Sequence, residues 1–384
     1  MDMKKVLSVM NGFNYSLSTN ANAICLYKII KADKGNFYVV ITDIKPDFWV
    51  TFPENLQMIY YDFSAWKKTW KIKKIIKDLS DISLNIIDDW YYKNLFLISF
   101  PNLNLHLGVA LKNRDPDIAL FFYELDPFAY NKGYRSRKLF FLIRRFIEAK
   151  AFHEADKIFL THELHHNYLK SQYRKFANKM VILAQPTIDN EQYEMLSFSK
   201  RQSDKIIFSY FGTINNTFRD PTEYLEMFCD VLTSTDINYE IRFYGSDEKY
   251  LKDFLFTPKY NVKVFPFISQ KDYLKILDET HFLLNISNKD LGNVMPSKLL
   301  EYIGTGLPLI NFVDNSNNVT IKILKNYPLS LNFYSVNNQS FVSENVQNFV
   351  ISNFEERLDW KIIEDFYSEF ISDSVAKKIN VFIK

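Results

Sequence analysis

Residues 294–310 read VMPSKLLEYIGTGLPLI and stand apart from the sequence around them. The chain holds only nine glycines in 384 residues, yet Gly304 and Gly306 sit together here, with Gly292 just upstream. Pro296 is preorganised for the first turn of a helix, and the Ser297 hydroxyl suits a cap for an orphan N–H. A helix N-terminus gathers partial positive charge and attracts anions. Lys298 adds a cation at that same end, which opposes the dipole unless an anion such as a diphosphate sits between. Glu301, one turn further, can accept hydrogen bonds from vicinal hydroxyls of the kind a ribose presents. Gly306 offers the left-handed conformation that stops the helix and lets LPLINF return to a sheet. The same spacing fits an ordinary capped helix with Lys298 and Glu301 turned to solvent.

Outward from this stretch the chain alternates between strand and helix patterns. KKVLSVMNG reads as a buried strand ending at Asn11-Gly12, STNANAICLYKIIKA as a helix and NFYVVITDI as a second strand. PDIALFFYELD (116–126) is a strand running into a loop, followed by a long amphipathic helix from Ser136 to Ala155. Residues 187–205 are mostly polar and show no apolar period, which predicts a linker. Beyond them KIIFSYFGT, YEIRFYGS, NVKVFPF, THFLLNIS and LPLINFV read as strands, with helices between. The expected fold class is α/β, two Rossmann-like doubly wound parallel-sheet domains facing an interdomain cleft. The expected divisions are 1–186, the linker 187–205, 206–360, and a C-terminal helix over 361–384 packing back on the first domain.

Composition narrows the class. Hydrophobic residues are 47% and charged residues 24% of the chain, which supports a sizeable core and excludes disorder. A net charge of +2 argues against a dedicated nucleic-acid binder. Cys25 and Cys229 form no CxxC, as expected in a reducing compartment. The start, MDMKKVLSVMNGFNYS, lacks the apolar run of a leader, and no stretch reaches ~18 apolar residues. The expected localisation is cytoplasmic.

The motif resembles the nucleotide-sugar signature of GT-B glycosyltransferases, most closely the retaining family-4 type. Its pattern S-K-x-x-E-Y-x-x-x-G-x-P-x-I is met by Ser297, Lys298, Glu301, Tyr302, Gly306, Pro308 and Ile310. FSYFGTINNTFRDP (208–221), IRFYGS, VKVFPFISQKDYLKILDETHFLLNIS and, in the first half, AKAFHEADKIFLTHE follow in the family's order. The resemblance implies transfer of a sugar from a nucleotide donor, UDP-linked, to a glycan or lipid-linked acceptor in bacterial surface polysaccharide synthesis. Arg219 and Lys298 would hold the leaving diphosphate, with Pro296 and Ser297 building the anion end of the helix. Gly212, Thr213 and Gly245 would lie beside the donor, Phe267 and Ile268 would flank the base, and Glu301 would hold the ribose. The family has two glutamates separated by seven residues; Glu301 is the second, and Asn293 stands at the first. Asparagine can bond a sugar hydroxyl but cannot balance positive charge, which leaves donor sugar and stereochemistry open.

In the first half, Asp126 in YELDPF follows a strand end and is a candidate for sugar contact or base work. It also suits a plain Asp-Pro turn. Gly12 is the candidate glycine at the cleft, or a simple strand-to-helix turn. No metal or other cofactor is implied, the nucleotide-sugar being a co-substrate. A sugar-nucleotide epimerase and a non-catalytic glycan- or partner-binding paralogue remain as alternatives.

Three further signals stand outside this reading. HELHH (162–166) matches H-E-x-x-H through His162, Glu163 and His166, but it follows a strand directly and no third ligand pattern follows it. DPD (115–117) resembles a metal-binding D-x-D, yet it precedes its strand and suits a turn. AWKKTWKIKKIIKD (65–78) packs six lysines and two tryptophans into twelve residues, and YRSRKLFFLIRRF (134–146) repeats that character. Both fit solvated amphipathic faces, or docking on an anionic membrane surface.

Overall fold

The computed structural model describes residues 3–384 except 17, 19, 47–50, 68–69, 126–127, 130–137, 197–203, 216–218, 236, 288–296, 315 and 335–338. The chain divides into two compact units, Met1–Pro186 with Glu369–Lys384, and Thr187–Ser368.

The first unit carries β1 (Lys4–Val9), β2 (Asn36–Thr42), β3 (Leu56–Tyr60), β4 (Asn94–Ile98), β5 (Ala119–Glu124), β6 (Lys157–Leu160) and β7 (Met180–Ile182). They form a seven-stranded sheet in the order β3-β2-β1-β4-β5-β6-β7, with every pair parallel. Parallel neighbours require crossovers, and the helices that make them cover both faces. The strands are therefore apolar on both sides. On β5, Leu120 and Phe122 enter one core while Ala119, Phe121 and Tyr123 enter the other. Helices Ile72–Ile87, Leu103–Arg114 and Lys138–Glu154 lie side by side over the first core. Helix Ala21–Ala32 covers the second beside helix Ser372–Asn380, which contributes Val375 and Ile379.

The second unit carries β8 (Ile206–Phe211), β9 (Tyr239–Tyr244), β10 (Val262–Phe265), β11 (Phe282–Ile286), β12 (Leu309–Val313) and β13 (Ser330–Tyr334). Its six strands run β10-β9-β8-β11-β12-β13, again all parallel. Asn285, Asn311 and Asn332 occupy the same register on β11, β12 and β13, and their amides bond at 2.7 and 2.8 Å.

Two boundaries differ from the sequence expectation. Residues 187–196, read as linker for their polarity, belong to the second unit and carry helix Asn190–Met195, with Ile188 and Leu196 buried. The tail is not one helix. Trp360–Tyr367 belongs to the second unit, where the Tyr367 hydroxyl donates to the Ile323 carbonyl at 2.8 Å. A single turn, Ser368–Phe370, separates it from Ser372–Asn380 of the first unit.

Candidate functional site

The second sheet reverses its winding between β8 and β11, and open parallel sheets bind ligands beyond their strand C-termini at such a point. Sequence-predicted residues follow both strands.

Beyond β8, the Gly212 N–H donates to the Tyr244 carbonyl at 3.0 Å, and the Gly212 carbonyl accepts from Ser246 Oγ at 2.7 Å. This ties the β8 exit to the β9 exit. Gly245 closes β9 with φ +76°, and a Cβ there would come within 2.9 Å of the Phe267 ring. Phe267 is thus seated on Gly245 while 78% exposed, and Ile268 beside it is half-buried. An exposed ring held by a glycine is available for stacking. Thr213 is exposed, and its carbonyl accepts from the Tyr210 hydroxyl at 3.2 Å.

The loop that follows is closed by reciprocal backbone bonds between Asn215 and Arg219, each 3.1 Å. The Arg219 guanidinium also bonds the Tyr210 hydroxyl. Burial pushes that phenol up, and the Arg219 charge and hydrogen bond work against the rise. Arg219 is thereby held at the end of β8.

After β11 the chain enters helix Ser297–Ile303. Leu299, Leu300, Tyr302 and Ile303 are buried, so the helix packs by one face and turns Lys298 and Glu301 outward. The Tyr302 hydroxyl accepts from the Phe211 N–H at 2.9 Å and lies 3.3 Å from the Phe211 carbonyl. One side chain therefore fixes the motif helix to the exit of β8.

Lys298 Nζ lies 2.6 Å from Glu301 Oε2 and 5.5 Å over the Tyr273 ring, which meets Phe211 edge-on at 4.7 Å. Burial, then the Glu301 charge, pushes the Tyr273 phenol well up. Lys298 and Glu301 are 44% and 22% exposed. The pair can exchange partners: an incoming anion takes the ammonium and frees the carboxylate for a diol.

The far end of the helix is clamped. Gly306 adopts φ +76°, and a Cβ there would lie 2.8 Å from the Leu358 carbonyl. Arg357 bonds the carbonyls of Thr305 (2.8 Å), Leu196 (3.2 Å) and Tyr193 (2.5 Å) and sits 3.7 Å over the Tyr193 ring. This is why residues 187–196 belong to the second unit. Neither Arg357 nor the roles of Tyr210, Tyr273 and Tyr302 were legible in sequence. Only Tyr302 carried a signal, as part of the motif.

The structure thus brings Arg219, Lys298 and Glu301 to the two exits at the switch point, with Gly212, Gly245 and Phe267 alongside. Ser297 is the first residue of the helix rather than the residue before it. Pro296, Asn293 and Asp126 lie outside the described residues. In the first unit the Gly12 N–H is taken by Asp43 Oδ1 at 2.7 Å. Of the remaining motifs, His162 opens helix His162–Leu169 and its Nε2 meets Glu369 Oε2 at 2.6 Å. Asp115 pairs with Lys93 at 2.7 Å and accepts from the Asp117 N–H at 3.0 Å, which makes DPD a turn into β5. Among the described residues no helix is long and apolar enough to cross a membrane.

No protein-family model matches the sequence, and no curated protein matches it in sequence. Solved structures match it in fold. A glycosyltransferase from Rickettsia africae is similar over 100% of this chain and 98% of its own, at 10% identity and TM-score 0.65. Anabaena HepE in complex with UDP and glucose is similar over 98% of each chain, at 12% identity and TM-score 0.60. A UDP-N-acetylglucosamine 2-epimerase is similar over 99% of this chain and 95% of its own, at 10% identity and TM-score 0.55. With two doubly wound, all-parallel sheets and these likenesses over its whole length, the chain has the GT-B fold.

Proposed function

We propose that the chain is a retaining glycosyltransferase that moves a sugar from a UDP-sugar to a glycan or lipid-linked acceptor in bacterial surface polysaccharide synthesis. The observation that carries this reading is the Lys298–Glu301 pair, pinned by Tyr302 beside the Arg219 loop at the switch point of the second sheet. Arg219 and Lys298 neutralise the departing diphosphate, where charge develops in the transition state. Glu301 takes the ribose hydroxyls and Phe267 and Ile268 flank the base, with Gly212 and Thr213 beside the donor. Asn293 bonds a sugar hydroxyl, and Asp126 of the first unit contacts the sugar. The acceptor hydroxyl attacks the anomeric carbon on the leaving-group side, the carbon–oxygen bond to phosphate breaks, and the proton passes to the departing phosphate. No protein nucleophile, metal or other cofactor enters this scheme.

A membrane surface is the partner that suits a lipid-linked acceptor. Helices Ile72–Ile87 and Lys138–Glu154 follow β3 and β5 of a parallel sheet, so both N-termini stand at the same strand-end edge. Neither has an acid in its first turn. Trp70, Lys73, Lys74 and Lys77 are exposed on the first of these stretches and Phe140, Leu142, Ile143 and Phe146 on the second, one basic and one apolar, a combination suited to anionic lipid. Residues 68–69 and 134–137 of these stretches lie outside the described residues.

The likeness to an epimerase supports a second reading, interconversion of UDP-sugars. Incubation with UDP-sugars separates the two. Acceptor-dependent release of UDP supports transfer; an epimeric UDP-sugar formed without acceptor supports epimerisation; neither would favour a binding paralogue.

A further inference from the structure

Glu124 ends β5 on the face that carries Leu120 and Phe122, and Glu148 reaches it from helix Lys138–Glu154. Both side chains are fully buried. Glu124 Oε2 accepts from Ser99 Oγ at 2.7 Å, and its Oε1 from the Phe128 N–H at 3.2 Å. Glu148 Oε1 accepts from the same Phe128 N–H at 3.1 Å, from the Ala129 N–H at 3.4 Å and from the Tyr168 hydroxyl at 3.2 Å. Glu148 Oε2 is buried without a hydrogen-bond partner. Two carboxyl groups therefore converge on one backbone amide.

Among the described residues no ion pair reaches either carboxyl group. Tyr168 and Tyr173 face the pair from the following helices. Arg144, one turn before Glu148, lies 6.0 Å over the Phe128 ring. His106 comes from the neighbouring helix Leu103–Arg114, and its charged neighbour is Lys150. Burial, then the Glu148 charge, pushes Glu124 well above the usual carboxylate range, and burial raises Glu148 too. Two bare negative charges in such a pocket would each carry a heavy desolvation cost. One proton removes a charge and supplies the donor that an ionised carboxylate lacks.

We propose that Glu124 and Glu148 hold a single shared proton, and that this acid pair is a pH-sensitive latch on the Phe128–Ala129 backbone at the strand-end edge of the first sheet. The folded state binds this proton more tightly than the unfolded chain does. The latch is closed near neutral pH, and its stabilisation is lost as pH rises toward the raised value of the pair. Loss of the proton sets two charges against each other behind Phe128 and loosens the Phe128–Ala129 backbone. The inference stands on the first unit alone and does not depend on the transfer reading.

Hydrogen exchange on the full chain tests it, read as protection factors at Phe128 and Ala129 from about pH 6 to about pH 10. Protection in the wild type falls at least tenfold across that range, whereas Glu148→Gln, which carries a permanent donor, stays flat. Unchanged protection in the wild type, or the same fall in Glu148→Gln, overturns the proposal. Should the variant not fold, isotope-edited infrared spectroscopy of the wild type decides. A protonated-carboxyl band at neutral pH that disappears on alkalinisation supports the shared proton, and its absence overturns it.

Discussion

Glu240 on β9 is 2% exposed and is held by Arg242 Nε at 2.6 Å, Lys263 at 2.7 Å and Lys205 at 3.1 Å. Glu301, in the same unit, is partly exposed and, among the described residues, is paired with Lys298 alone, itself 44% exposed. Burial alone would raise the Glu240 carboxyl, but bonds to Lys263, Arg242 and Lys205 hold it down at about 2. Such redundancy is what a structural charge needs, since removing one partner of a buried pair is costly. Among the described residues the Lys298–Glu301 pair has no such redundancy. A ligand can open it at little cost, as an exposed pair is worth about 0–1 kcal/mol. Glu124 and Glu148 show the third solution, in which a proton replaces the cation.

Variants can break this contrast. The largest effect is expected at the exchangeable pair. Lys298→Ala should weaken UDP binding roughly 10–100-fold, the worth of one charge-assisted bond, while leaving the melting temperature within about 2 °C. Equal affinity by calorimetry would remove Lys298 from the site. Glu240→Gln should do the reverse, costing about 1–3 kcal/mol in urea unfolding with UDP affinity unchanged. Because the folded carboxyl titrates at about 2, the wild-type contribution of Glu240 is present above the ordinary carboxylate range and is lost as pH falls toward about 2. Unfolding curves from neutral to acid pH, with Glu240→Gln losing less, check the sign.

Smaller changes sharpen the picture. Replacing Phe140, Leu142 and Phe146 together by serine should lower binding to phosphatidylserine vesicles about three- to tenfold without altering UDP affinity. Unchanged co-sedimentation would leave these residues an ordinary surface. Tyr302→Phe removes the hydroxyl bridge to Phe211 and should cost about 1 kcal/mol, with a severalfold loss of UDP affinity. A loss of stability with no loss of affinity would show that the helix holds its place without the bridge.

The alternation of apolar strands and amphipathic helices was legible because parallel sheets bury their strands on both faces. The edges were harder. β3, Leu56–Tyr60, has one buried residue in five, and β7 is three residues long, so neither shows a strong apolar run. The polarity of 187–196 concealed a segment clamped by Arg357, more than 150 residues later, a contact no local pattern reveals. The tail kept a helical period on both sides of Ser368–Phe370, which hid the passage from one unit to the other. At the site, Lys298 and Glu301 could be read because their spacing places them together on one helix. The Tyr302–Phe211 bond joins residues 91 apart and became visible only in the fold.

The central claim is that the exits of β8 and β11 form a nucleotide-sugar site. Calorimetric titration of the full chain with UDP, GDP and CDP, repeated with Lys298→Ala, tests it most directly. UDP should bind in preference to the other two, with the variant losing most of that affinity. Binding of none of the three, or UDP binding that is indifferent to Lys298, would contradict it.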